Sequence, residues 1–157
     1  MKTLDYIRLD AQGAESISNE LKQLLADIQV FYTNLRGLHW NIKGKQFFQL
    51  HEKFEELYDN FNEKADEIAE RLLVLGVKPE NKFSEYLKIA KIKEVDNICD
   101  AQEAIKYILE SFKYFIELEY KVLETASQAG DESTVAIMND YIKEQEKMVW
   151  MFSATLS

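Results

Sequence analysis

Two histidines, His39 and His51, supply all the imidazole in this chain. Both fall in one stretch rich in carboxylates, "LHWNIKGKQFFQLHEKFEELYDNFNEKADEIAERLLVLG", residues 38–76. Imidazole and carboxylate groups that converge from neighbouring helices make a transition-metal site. A lone histidine on an apolar stripe is ordinarily a satisfied core residue, and His39 follows Leu35 at helical spacing. Spacing alone leaves both readings open.

The element carrying most of these residues is a helix over about 46–75. On a wheel centred on Phe54, the residues Phe47, Leu50, Leu57, Phe61, Ala65, Ile68, Leu72 and Leu75 form a core stripe. Lys53, Glu56, Asn60, Glu63, Lys64, Glu67 and Arg71 form a polar face suited to water. A third strip fits neither description. It mixes His51, Glu55, Asp66 and Glu70 with Phe48, Tyr58, Asn62 and Leu73.

One helix has one bundle core to face, so a second partly apolar strip points to another chain, most simply in a two-fold dimer. His51 and Glu55 lie one turn apart, as do Asp66 and Glu70, but His51 and Glu70 are about 28 Å apart along one axis. Antiparallel pairing with a symmetry copy, centred between Asn60 and Phe61, sets His51 against Glu70 and Glu55 against Asp66. Two equivalent clusters result, each drawing on both chains. Asp59 and Glu63 also lie at or near the strip, so periodicity alone admits a solvent-facing acidic strip as well.

The other elements are helical too. A first long helix is expected to begin near Ser16 or Ser18, with the stripe Ile17, Leu21, Leu24, Ile28, Phe31, Leu35 and Leu38. "KGK" at 43–45 ends it. The second helix stops at Gly76, with Pro79 close behind. "FSEYLKIA" at 83–90 reads as a short connecting helix. A third long helix opens near Asp100 and Glu103, in a variant capping box, and runs to about Ser127. Gly130 breaks it, and Asp131 starts a fourth, with Val135, Met138, Tyr141, Ile142, Val149 and Phe152 on its stripe. The prediction is an all-α four-helix bundle, one domain over 1–157, with an extra helix in the longest connection. That connection is long enough to run the length of the bundle and leave neighbouring helices parallel.

Composition sets limits. The chain has 157 residues, 46% hydrophobic and 30% charged, with one proline. No apolar run approaches the roughly 20 residues that cross a bilayer. "MKTLDYIRLD" lacks the apolar run of a secretory signal, and the single Cys99 has no partner for an intrachain disulfide. A cytoplasmic, reducing location is expected. Cys99 is read as a structural thiol. A net charge of −9 argues against a surface built for polyanions. The best local basic patch is Lys82, Lys88, Lys91 and Lys93, read as a solvated face.

The combination H-W-x-x-x-G, F-x-x-L-H and D-E-x-A-E-R within 38–76 closely resembles the Dps family, the miniature ferritins of bacteria and archaea. "YTNLRGLHWNIKG" resembles the end of their first helix and "KEQEKMVWMF" at 143–152 their last. The resemblance implies a ferritin-like fold, with twelve subunits in a hollow shell and iron sites at the two-fold dimer interfaces. It implies a ferroxidase whose ferric product is stored as mineral, with hydrogen peroxide favoured over dioxygen. Iron is then substrate, and no organic cofactor is expected. By motif position His39, His51 and Glu55 would come from one subunit, and Asp66 and Glu70 from its partner. Many relatives carry Asp where Glu55 stands. Trp40 matches a tryptophan near the site, where it either packs or takes part in redox. Ordinary ferritins place the centre inside one bundle through E-x-x-H pairs, and Arg36 and Phe48 stand where those acids would be. Family pores suggest Asp131 and Glu132 as entry acids. Ala136 replaces an acid found in relatives, and Asp140 receives no role.

Three readings follow: an iron-oxidising storage cage, a DNA-protecting particle, and a helical oligomer without redox chemistry. Relatives that bind DNA commonly use Lys- or Arg-rich extensions. This chain begins almost at its first helix and ends in "SATLS", so DNA binding is expected to be weak or absent. The cage reading is favoured.

Overall fold

The computed structural model describes residues 2–157, and no strand occurs among them. After a 3-10 turn at Thr3–Asp5, the elements are α1 (Ala11–Asn41), α2 (Phe47–Val74), α3 (Phe83–Ile89), α4 (Ala101–Ala129) and α5 (Glu132–Thr155). Helix α1 begins earlier than its serines suggest. The Asp10 carboxylate caps it by accepting from Gly13 N at 2.6 Å. Ser16 instead bonds back to Gln12 O, and Ser18 is buried in the bundle. Gly13 is required by packing, because a Cβ there would stand 2.9 Å from that of Ala129. Asp100 caps α4 by accepting from Glu103 N, the forward half of the expected box.

The two short links force antiparallel pairs, α1 with α2 and α4 with α5. Gly130, left-handed at φ 75°, closes α4 and lets Asp131 start α5 at once. The start of α1 meets the end of α4, so these two also run antiparallel. The parallel pair left by the long connection is α2 and α4, which lie across the bundle from each other. At the centre, Phe31 meets Phe61 edge-on at 4.8 Å and Phe115 at 5.2 Å, and Phe61 stacks on Phe112. Each such pair contributes about 0.5–1.5 kcal/mol beyond burial of area.

Two buried polar residues of α1 fasten the connection between α2 and α4. Asp27, with no exposed surface, accepts from Lys91 N, Ile92 N, Gln23 Nε2 and Tyr114 Oη. Asn34 donates to Lys93 O and to Tyr107 Oη, and accepts from Val95 N. An extended chain has backbone groups that must find partners when covered, and these two side chains supply them.

The polar face expected of α2 is only partly in water. Helix α5 packs along its edge, burying Lys64, pairing Arg71 with Asp131 at 2.6 Å and bonding Tyr141 Oη to Glu67 at 2.6 Å. The third strip, by contrast, is left open. Phe48 is 80% exposed and Leu73 54%, with Glu55, Asn62, Asp66 and Glu70 beside them.

Candidate metal centre

His39 sits in the last turn of α1 and His51 in the second turn of α2, where the short link brings the helices together. Their rings stack at 3.7 Å and 13°. Each donates from Nδ1 to the other's backbone carbonyl: His39 to His51 O at 2.6 Å, His51 to His39 O at 2.7 Å. The His39 carbonyl is among the last of its helix, which lack amide partners within it. Because a carbonyl only accepts, both protons must sit on Nδ1, and in the neutral rings both Nε2 atoms keep a lone pair. That is how proteins fix the tautomer and orientation of a metal-binding imidazole.

His39 is buried and His51 half-buried, while Glu55, one turn on, is exposed. Tyr58 joins the group, its ring edge 5.4 Å from that of His39 and its hydroxyl donating to Glu55 Oε1 at 3.3 Å. Desolvation first, then the Glu55 charge, push the phenol above its ordinary value and keep it a donor. Trp40 is 64% exposed with the Arg36 guanidinium over it at 4.8 Å, and Arg36 also approaches Tyr32. Residue spacing marked Tyr58 only as one aromatic of the mixed strip. Its bond to Glu55 depends on the rotamer.

Asp66 and Glu70 lie on the same open face, well along α2 from the histidines. Among the described residues of one chain, no three His, Cys, Asp or Glu side chains converge to hold a metal ion. Asp131 and Glu132 lie at the far end of α2 from His51, beside Arg71. Asp131 is 5% exposed and fully engaged, accepting from Arg71 and from the amide and hydroxyl of Thr134. Burial opposes its charge, but Thr134 and Arg71 outweigh that and hold its carboxyl below the usual range. Asp131 caps α5, as expected of the residue that starts it, and its pairing with Arg71 locks that helix to α2. Glu132 stays exposed.

A ferritin-like domain model matches residues 18–157. A DNA protection during starvation protein of Porphyromonas gingivalis is 46% identical over 153 residues, 98% of this chain and 96% of the relative. This chain belongs to the Dps branch of the ferritin-like family. The crystal structure of a Dps protein from Vibrio cholerae O1, a member of a broad superfamily of ferritin-like diiron-carboxylate proteins, matches with a TM-score of 0.93. Its identity is 47%, over 95% of this chain and 94% of that one. A Dps from Bacillus brevis matches with a TM-score of 0.90 at 32% identity, over 93% and 98% of the two chains. The all-α ferritin-like fold expected of the sequence is therefore present in this Dps chain. No helix among its described residues is long and apolar enough to cross a membrane.

Proposed function

We propose that this Dps is a ferroxidase that stores iron: it oxidises ferrous ions at centres shared across a two-fold dimer interface and deposits ferric mineral inside a dodecameric shell. The observation that carries this reading is the reciprocal bonding of His39 and His51. It leaves two Nε2 lone pairs unused one turn from Glu55, next to a face whose apolar side chains are otherwise left in water.

In this reading His39, His51 and Glu55 bind from one subunit, completed by Asp66 of the partner subunit and Glu70 of the partner subunit. Imidazole with carboxylate suits ferrous iron, and carboxylate oxygen suits the ferric product. The three carboxylates offset most of the charge of two ferrous ions. Two such ions give up one electron each, and hydrogen peroxide accepts both with two protons as its O–O bond breaks, leaving water. Delivering the pair together releases no hydroxyl radical. Nδ1–H of each histidine keeps its ring in place throughout, and Tyr58 holds Glu55. Trp40 packs at this interface on the Arg36 guanidinium. Asp131 and the exposed Glu132 beside it are the candidates for guiding ions inward.

The test compares peroxide-dependent ferrous oxidation in the wild type and in Asp66→Ala, with oligomer size checked in both. Oxidation should fall at least tenfold with the oligomer intact. Equal rates in two equally assembled proteins would refute the shared centre.

A further inference from the structure

The open face of α2 is acidic, and under the two-fold pairing it meets itself. Glu55, Asp59, Glu63, Asp66 and Glu70 are all exposed along it, and none is in an ion pair among the described residues. Like charges brought together across an interface oppose it. The proposed iron centres take up Glu55, Asp66 and Glu70, which leaves Asp59 and Glu63 without a counter-charge.

The basic residues of α1 and α2 are nearly all committed elsewhere. Lys53 pairs with Glu56, Lys64 with Glu144 and Arg71 with Asp131, while Lys22 lines a cavity against the link that follows α2. Arg36 is the exception. It is half-buried, with its guanidinium 4.8 Å from the Trp40 ring centre and 5.7 Å from that of Tyr32. Yet it pairs with no acid among the described residues, and Glu94, which lines the same surface groove, is not its partner. Flanking rings hold a guanidinium in place without using its hydrogen-bond donors, so the fork stays available to a carboxylate.

Register selects the carboxylate. His39 stacks on His51, and Tyr32 meets Tyr58 edge-on at 5.9 Å, which sets Arg36 level with Phe54 and Glu55. On the antiparallel copy that level falls at Asp66 of the partner subunit and Glu67 of the partner subunit. Glu63 of the partner subunit is one turn away, about 5 Å along the axis. Asp66 is engaged by iron in this reading, and Glu67 is already bonded to Tyr141 of its own chain. Glu63 alone is left without a partner.

We propose that Arg36 pairs with Glu63 of the partner subunit, so that a second copy of the chain is recognised through two symmetric ion pairs beside the shared centres. The inference rests on the two-fold interface proposed above. It supplies the charge that lets an acidic face close on itself, and it fixes the register in which His51 meets Glu70 of the partner subunit.

A charge-reversal cycle tests the pair, read as the association constant of subunits by sedimentation, with helix content checked by circular dichroism. Arg36→Glu and Glu63→Arg should each weaken association by about tenfold or more, and the two together should recover most of the loss. Should either reversal fold poorly, Arg36→Gln and Glu63→Gln take their place, and the double variant should then lose little more than either single one. Additive losses would overturn the pair. So would rescue of Arg36→Glu by Glu94→Arg, the outcome expected of an acid in the same chain. Neither Arg36 nor Glu63 is a proposed iron ligand, so Asp66→Ala scores the shared centre separately. A fall in oxidation there, alongside additive losses here, would refute the ion pair alone.

Discussion

At the scale of single residues, the same side-chain types do opposite jobs according to what surrounds them. Glu55 is left in water beside two oriented imidazoles, whereas Glu119 is sealed in the core. The difference appears in the pH dependence of stability. Glu119 binds its proton more tightly when folded, at about 8 against an unfolded value near 4.5. Its contribution is therefore fully present below the unfolded value and declines as pH rises to about 8, by up to about 1.4 kcal/mol per pH unit. Glu119→Gln should flatten that decline in urea melts run between pH 5 and 8. Asp131 has the reverse sign: held low, it stabilises above the ordinary carboxylate value, and that contribution disappears as pH falls through its folded value. Arg71→Ala should bring acid unfolding to higher pH. At the candidate centre, His39→Ala should abolish saturable ferrous binding under anaerobic titration, with helix content unchanged by circular dichroism.

At the scale of elements, the helices were legible because their apolar periods are strong. Their ends followed from Gly44, Gly76 and Gly130, all with positive φ. The start of α1 was misjudged since Asp10 and two serines are all competent caps, and only packing of Ala14 and Gly13 near the end of α4 selects Asp10. The anchoring of the long connection gave no sequence signal at all. Asp27 lies on the apolar side of α1, and its partners are backbone amides more than 60 residues away. Asp27→Ala would leave two backbone amides and the Tyr114 hydroxyl without their acceptor, at a cost of about 3 kcal/mol or more. Urea unfolding measures the loss. Hydrogen exchange should quicken first at residues 91–95, while the amides at the centre of α4 keep their protection.

At the scale of the whole molecule, the proposed centre takes only part of its ligands from one subunit. The open face of α2 pairs apolar groups with acids, and Leu73→Glu should weaken assembly and ferrous oxidation together, read by sedimentation and by peroxide-dependent oxidation. A shared centre makes a stronger prediction. His51→Ala and Asp66→Ala subunits, each inactive alone, should regain up to about one quarter of wild-type activity when unfolded together, mixed and reassembled. A mixed dimer of the two has one complete centre, and random pairing makes half the dimers mixed. With a net charge of −9, duplex DNA should show no salt-sensitive retardation in low-salt gels. Tight complexes there would restore the DNA-protecting reading for this chain.

The order of residues by itself determined four long helices, the stripe that each buries, and a third strip on α2 too apolar for water and too acidic for a core. These are local periodicities, and 3.6 residues per turn converts them directly into faces. Tertiary structure alone decided which polar groups stay free. The link between α1 and α2 lets two histidines twelve residues apart exchange backbone bonds through Nδ1, which leaves their Nε2 atoms free of that bonding. The packing of α5 takes Lys64 and much of Arg71 out of the solvent to which their sequence pattern had assigned them. Ligand availability depends on what the other lone pair or proton is already bonded to, and that is settled by residues distant along the chain.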